Sequence, residues 1–501
     1  MDKMLVDGFG DVTISNDGAT ILDEMEVQHP VGKMLVEVAK TQDDEVGDGT
    51  TSAVVLAGEL LSKAQNLIDK DVHPTVIVDG YQMANSKALE FLRKLGIKVS
   101  PTDKAMLKKV AKVAVASKLL AEHKEFVADL AVSAILQVSE KMRTEYMVDV
   151  DDVKVEKKPG GSLTDTALIQ GVLLDKEVVH PGMPKRIENA KIAIINCPLE
   201  VEKPEFDAKL NIQSPDQMKS FLDEEEKILR GMVDKIAEAG ANVAICEKGI
   251  DDVAQHFMAK RGILAVRRVK QSDMEKLVKA TGGRILTQLE GVKPSDLGFA
   301  ALVEERKVSD DKMTFVEGCK NPKSVSILVR GGTERVVDEA ERAIHDALCV
   351  VRDVMVEPYV VAGGGAPEAE VSRMIRTYAQ KLSGKEQLAV QAYAEALEVI
   401  PISLAENAGM DPIDSLMQVR SKHQAKSKWA GIDPINGKVA DLAKLEVYEP
   451  LAVKVQALKS AGEAASMILK IDDVIAASKS KESGAPKGPE DRAKEEGEGE
   501  S

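Results

Sequence analysis

Gly47-Asp48-Gly49-Thr50-Thr51-Ser52 stands immediately before Val54, Val55, Ala57, Leu60, Leu61, Ala64 and Leu67, whose spacing predicts a helix over 50–67. The stretch is therefore a glycine-flanked loop that opens a helix. A helix start offers unpaired N–H groups and the positive end of the helix dipole, and glycines let backbone approach a ligand closely. Three successive hydroxyls can donate to phosphate oxygens, and Asp48 is a hard oxygen ligand suited to Mg²⁺ bridging those phosphates. The same residues also describe an ordinary cap, with Asp48 or Thr50 capping and the glycines turning the chain. Spacing alone leaves both readings open.

Working outward, Val12 and Ile14 read as a strand, Asn16-Asp17-Gly18 as a type I′ turn, and Ala19-Thr20-Ile21-Leu22 as the step into a helix. As a turn, Asn16-Asp17-Gly18 needs no function. Far downstream, Gly363-Gly364-Gly365 follows apolar Val360-Val361-Ala362 and precedes a helix beginning near Pro367. It either admits a nucleotide against bare backbone or connects two elements flexibly. Asp346 falls on a helix over 333–353 whose buried face would be Val336, Val337, Ala340, Ile344, Ala347, Leu348 and Val351. A carboxylate opposite such a face reads as solvated. Gly431 to Val439 imitates a Walker A loop, but it has one residue too many between its glycines and Val439 where a metal-binding hydroxyl belongs. It is rejected.

The remaining chain alternates in character. Helical patterns at 33–42, 74–95 and 102–141 give way to strand-like pieces from about 147. Residues 190–300 alternate short apolar runs with helices, an α/β layer pattern. VSILVRGG (325–332) is a further strand, and 366–476 is again largely helical. The order helical, α/β, helical suggests a middle segment inserted into a domain built from both ends, and 501 residues imply about three domains. Within the middle, Ser214-Pro215-Asp216-Gln217 is a good helix start. Core packing is expected from Ile228 onward, whereas Met218, Phe221 and Leu222 precede an acidic run and suit an exposed contact patch. The stretch 478–501 has no core-forming residues and is expected to be disordered.

Lys plus Arg is 67 and Asp plus Glu is 83, a net charge of −16, with 3% aromatics. That balance argues against nucleic acid, which demands a basic face and stacking platforms. Four cysteines without a CxxC pair favour a reducing, cytoplasmic compartment over a disulfide framework. The seven histidines show no zinc spacing. No apolar run reaches the ~18 residues of a membrane helix, and the first residues show no export signal.

Ile14 to Leu22, then Gly47 to Thr51, then Val361 to Ala366 occur in the order seen in chaperonins, and the chain resembles the group II (thermosome/CCT-type) subunit. VHPGMPKRIENAKIAIINCPLEVEK (179–203), NAGMDPID (407–414) and SMILKIDDVIAASK (466–479) extend the resemblance to nearly the whole chain. It implies a multidomain α and α/β subunit: an equatorial domain from 1–101 and 361–477, an intermediate domain from 102–170 and 328–360, and an apical domain over 171–327 with a helical lid around 204–236. It also implies ATP and Mg²⁺ as cofactors, unfolded proteins as clients, and homologous subunits assembled in a double ring closed by the lid on ATP hydrolysis.

By motif, Asp48 resembles the Mg²⁺ ligand, with Gly49, Thr50, Thr51 and Ser52 holding phosphates. Asp17 resembles the carboxylate near the γ-phosphate, and Asp346 the aspartate that orients or deprotonates the attacking water. Gly364 and Gly365 would lie along the nucleotide, with Asp433 and Glu449 near base and ribose. Members of the family carry a Leu-Gly-Pro-Lys-Gly phosphate loop immediately before the Met-Asp-Lys-Met-Leu that opens this sequence. Either Met1 is an internal Met of a longer protein, or the chain is a truncated subunit impaired in ATP binding and assembly that acts as a passive holdase.

Overall fold

The computed structural model describes residues 3–118, 122–143, 145–201, 215–319 and 322–475. The expected tail at 478–501, the first part of the expected lid (204–214) and the Ser214 cap lie outside the described residues.

Helices from both ends of the chain share one core. Pro74–Leu95 begins with proline at its first position, behind His73, whose Nδ1 accepts the Thr75 N–H. It buries Ile77, Tyr81, Ala84, Ala88, Leu92 and Leu95 along one stripe. Thr50–Ile68, Ala366–Ala379, Lys385–Ala396 and Leu451–Ile468 pack around it. Tyr81 and Tyr393 meet edge-to-face with ring centroids 5.7 Å apart. The Tyr81 hydroxyl donates to Leu60 O at 2.8 Å, and that of Tyr393 to Asn85 Oδ1 at 2.9 Å. Tyr81→Phe keeps the ring and deletes one buried hydrogen bond, so thermal unfolding is expected to report a loss of about 1 kcal/mol. Lys385–Asn407 is long and apolar enough by composition to cross a membrane, but it is two successive helices, mostly buried in the protein.

A second core joins helices Lys104–Val115, Lys124–Val138 and Glu334–Val356 to a three-stranded sheet. Its central strand, Val325–Gly331, runs parallel to Val153–Pro159 and antiparallel to Ala167–Ile169. Flanked on both sides, that strand is a nearly unbroken apolar run. Its parallel partner lies across the whole middle segment, so this pairing ties together the two ends of an insertion.

The middle segment has its own core on a seven-stranded sheet. Leu264–Val266, Val243–Cys246 and Arg186–Ile195 run parallel; Gly298–Val308, Asp311–Glu317 and Gly171–Leu174 continue the sheet antiparallel. Ile285–Leu286 adds a short parallel pairing to Arg186–Ile195.

Three local expectations change, and one rejection stands. Asn16-Asp17-Gly18 is no type I′ turn, which needs positive φ; Asp17 is extended (φ −72°) and caps helix Gly18–Glu24 through Thr20 N–H. The helical pattern at 102–141 breaks into two helices, and its end belongs to the hairpin Glu140–Met142/Glu145–Met147. On helix Pro215–Glu238, Met218, Phe221 and Leu222 are exposed as expected, but so is Ile228; Leu229, Val233 and Ile236 carry the packing. One residue of helical phase, 100°, separates Ile228 from Leu229. The rejected Walker-like stretch is a hairpin, Ala430–Asp433 with Lys438–Asp441, and no helix follows its second glycine.

Candidate functional site

The loop at 47–52 is built by two left-handed glycines. Helix Pro30–Val46 ends on Gly47 (φ +66°), whose N–H reaches back to Asp43 O at 2.8 Å. Gly49 (φ +77°) occupies the N-cap position of Thr50–Ile68, and no side chain caps that helix. Neither Asp48 nor Thr50 is therefore the cap that local spacing allowed. Asp48 is held between the glycines with Oδ1 accepting the Gly49 N–H at 2.6 Å, while its carbonyl accepts Gln42 Nε2 at 2.8 Å.

A second helix start meets this one. Asp17 accepts from the Thr20 N–H and hydroxyl at 2.8 and 2.9 Å, and its other oxygen accepts from the Thr50 hydroxyl at 3.1 Å. The approach depends on Gly18, where a Cβ would lie 2.6 Å from Thr51 Oγ1. Thr50 is buried and its hydroxyl is engaged; Thr51 is exposed and Ser52 half-buried.

Helix Glu334–Val356 closes over the loop. Arg342 donates to Ile14 O at 3.1 Å and Arg352 to Glu45 O at 2.6 Å. Asp346, expected to be solvated from its position on the helix alone, is 6% exposed and ion-paired with Lys118. The helix is buried on that side too, because it packs against Pro30–Val46, which leads into the loop.

Burial pushes the Asp346 carboxyl above its usual range against the pull of Lys118, and the Asp48 charge adds to the rise. Burial likewise raises Asp48, with Lys118, the Gly49 N–H and Lys454 opposing and Asp17 reinforcing. For Lys118, burial acts downward, but Asp346, Asp17 and Asp48 outweigh it. Asp48, Asp346 and Lys118 all shift upward, as expected where enclosed charges are short of positive partners. Three carboxylates face one ammonium.

The glycine-rich segment lies beyond the same helix start. It is not a flexible connector: Gly363 N–H donates to Val447 O at 3.0 Å, Gly364 O accepts from Ile432 N–H at 2.9 Å, and a Cβ at Gly364 (φ +67°) would lie 2.7 Å from Ile432 O. Gly365 (φ +74°) begins helix Ala366–Ala379, again with no side-chain cap. Glu449 is half-buried with its carboxylate 2.5 Å from Lys454 Nζ; desolvation raises its carboxyl and Lys454 opposes. Asp433 sits beside Gly364 through Ile432. Its carboxylate is committed to the Ile435 and Asn436 N–H groups and Asn436 Nδ2, whose hydrogen bonds outweigh burial and hold it below the usual range.

The sequence profile of the TCP-1/cpn60 chaperonin family matches residues 1–479. The chain belongs to that family. It is similar to a thermosome subunit of Methanopyrus kandleri, 59% identical over 95% of this chain and 88% of the relative, and to one of Pyrococcus horikoshii, 59% identical over 96% and 87%. Its fold is that of a group II chaperonin. The open-state monomer of one from Methanococcoides burtonii superposes with a TM-score of 0.64 at 46% identity, over 85% of this chain and all of that one.

This chaperonin site thus brings Asp17, Asp48, Thr50 and Asp346 into one electrostatic cluster, and sets Gly364, Gly365, Glu449 and Asp433 on a neighbouring wall. Among the described residues, no group of three or more His, Cys, Asp or Glu could hold a metal unaided. Mg²⁺ takes one or two carboxylates and completes its shell with water and phosphate oxygens. The charge deficit around Asp48, beside an uncapped helix start, suits such a cation carried by a phosphate group. Sequence reasoning missed Lys118, Gln42, Glu368 and Lys454. Lys118 stands in a run of alanines, valines and lysines where nothing local separates it from Lys109 or Lys112.

Proposed function

We propose that this chain is the subunit of an ATP-driven folding chamber, a double ring of homologous subunits in the cytoplasm that encloses unfolded proteins. The carboxylate cluster at the uncapped start of Thr50–Ile68 carries the reading, since it sets Asp346, held by Lys118, beside a phosphate-accepting helix start. The exposed Thr51 hydroxyl, Ser52 and the first-turn N–H groups receive phosphate oxygens. Asp48 is the carboxylate that would hold Mg²⁺, which when bound neutralises phosphate charge and polarises the γ-phosphoryl group. Asp346 orients the attacking water and accepts its proton; its upward shift suits a base working near neutrality. Lys118 fixes the Asp346 carboxylate, and Asp17, held by Thr20, orders the γ-phosphate end through Thr50.

The three cores support a division into an equatorial domain (1–101 and 361–477), an intermediate domain (102–170 and 328–360) and an apical domain (171–327). Because Asp346 reaches the loop from the second core, domain closure would assemble the catalytic set, coupling hydrolysis to lid movement. Met218, Phe221 and Leu222, exposed on Pro215–Glu238, are the apolar contacts a client or closing lid would use.

The test is Mg²⁺-dependent ATP turnover by the full chain, with negative-stain micrographs and refolding of a denatured client. Double rings, turnover lost on chelation, and nucleotide-dependent refolding are expected. Ring-free protein that suppresses aggregation equally with and without ATP would overturn the proposal in favour of a passive holdase.

A further inference from the structure

The first turn of helix Leu451–Ile468 touches both walls of the site. On the phosphate-loop side, Val453 O accepts Gln42 Nε2 at 3.2 Å, from the same nitrogen that donates to Asp48 O. Val453 Cγ1 also lies 2.8 Å from where a Cβ on Gly49 would stand. The next residue closes on the opposite wall: Lys454 Nζ is 3.0 Å from Glu368 Oε1 and 2.5 Å from Glu449 Oε2. Glu368 lies in the first turn after Gly363-Gly364-Gly365. Glu449 pairs its backbone with Val361, and its Oε1 is 2.5 Å from where a Cβ on Gly363 would stand.

Lys454 and Glu368 are each less than one-tenth exposed, and Glu368 Oε2 is buried without a hydrogen-bond partner. Two carboxylates held this close in a low-dielectric interior repel strongly unless a cation stands between them. Without Lys454, Glu449 and Glu368 would separate, and the glycine loop would move away from the strand beside it. The phosphate loop, gripped by Val453 through Gln42, would lose its register against that wall.

We infer that Lys454 is a positioning residue for the nucleotide: by bridging Glu368 and Glu449 from the turn that also grips the Asp48 loop, it sets the spacing between the two glycine loops. This rests on the proposal above that ATP lies between them. Lys454 acts through the loops, so its effect appears in affinity. A purely structural role would instead reduce the fraction of folded, binding-competent chains.

Calorimetric titration of the full chain with MgADP separates the two, because affinity and stoichiometry are read independently. Lys454→Met is expected to weaken binding at least tenfold at unchanged stoichiometry. Glu368→Gln, which keeps the Lys454–Glu449 contact, is expected to weaken it about threefold, a partial loss consistent with one of two charge contacts. Tyr81→Phe, a destabilised control remote from these groups, should lower the melting temperature and bind with wild-type affinity. Lower stoichiometry at wild-type affinity in Lys454→Met would overturn the inference. If that variant does not fold, Glu368→Gln decides: weakened affinity at full stoichiometry supports the assignment, and wild-type affinity refutes it. Absence of MgADP binding by the unaltered chain would instead remove the nucleotide reading itself, and this inference with it.

Discussion

Asp346→Asn is expected to slow single-turnover ATP hydrolysis by about two to four orders of magnitude, the range a positioned general base contributes. Nucleotide affinity should be unchanged or tighter, because the substitution removes a buried negative charge from the proposed phosphate site. The amide matches the carboxylate in shape but cannot take a proton from water. It also leaves Lys118 without its charged partner, and breaking a buried pair costs about 3–5 kcal/mol. Lost turnover could then be mistaken for lost folding. Lys118→Met in the Asp346→Asn background tests this, since the ion pair is then removed as a unit and only the half-buried Asp17 and Asp48 charges remain in the cluster. Stability should largely recover in the double variant while hydrolysis stays slow. Undiminished single turnover in Asp346→Asn would remove Asp346 from the chemistry.

Gly47→Ala should be the most damaging single methyl group in the site. Its backbone is left-handed (φ +66°), a conformation that costs an L-residue about 1–2 kcal/mol. The new Cβ would also stand 2.5 Å from Cys349 Sγ and inside contact distance of Cys349 Cβ. Cys349 cannot retreat, being 2% exposed within helix Glu334–Val356. Overpacking of this kind costs about 1–3 kcal/mol, so the total is roughly 2–5 kcal/mol. For a domain of this size that is a fall of about 5–15 °C in melting temperature by scanning calorimetry.

The same displacement would lift Asp346, three residues before Cys349, away from Asp48, so hydrolysis should fall along with stability. Cys349→Gly in the Gly47→Ala background removes the collision but adds its own cost, a glycine and a small void inside helix Glu334–Val356, so the double variant is expected to lose less stability than the sum of the two single losses. If the double variant is no better than the sum of the two single ones, the two sites do not touch and the packing described for the loop is wrong.

Much of the framework was legible along the chain. The apolar stripe of Pro74–Leu95, the nearly unbroken apolar run of Val325–Gly331 and the alternation over 190–300 are pattern signals, and each became the kind of element its pattern implied. Local chemistry was less decisive. Spacing alone could not choose between a cap and a ligand loop at Gly47 to Ser52, because the choice depends on where hydrogen bonds go. Asp17 was misread as part of a turn for the same reason: a capping aspartate and a turn aspartate look alike until φ is known.

What the amino-acid sequence determined by itself was most of the order of helices and strands, the suggestion of a middle segment inserted into a domain built from both ends, and the places of the short glycine loops. These follow from periodicity and backbone sterics, which act between near neighbours. The partnerships that make the loops a site were decided only in three dimensions. Lys118 meets Asp346 across 228 residues, and Gln42 meets Val453 across 411. A lysine or an aspartate in a helical pattern reads the same whether it faces water or a buried counter-charge. Coulomb energy and desolvation depend on which distant groups come to share one low-dielectric space, and only the packing of the three cores specifies that.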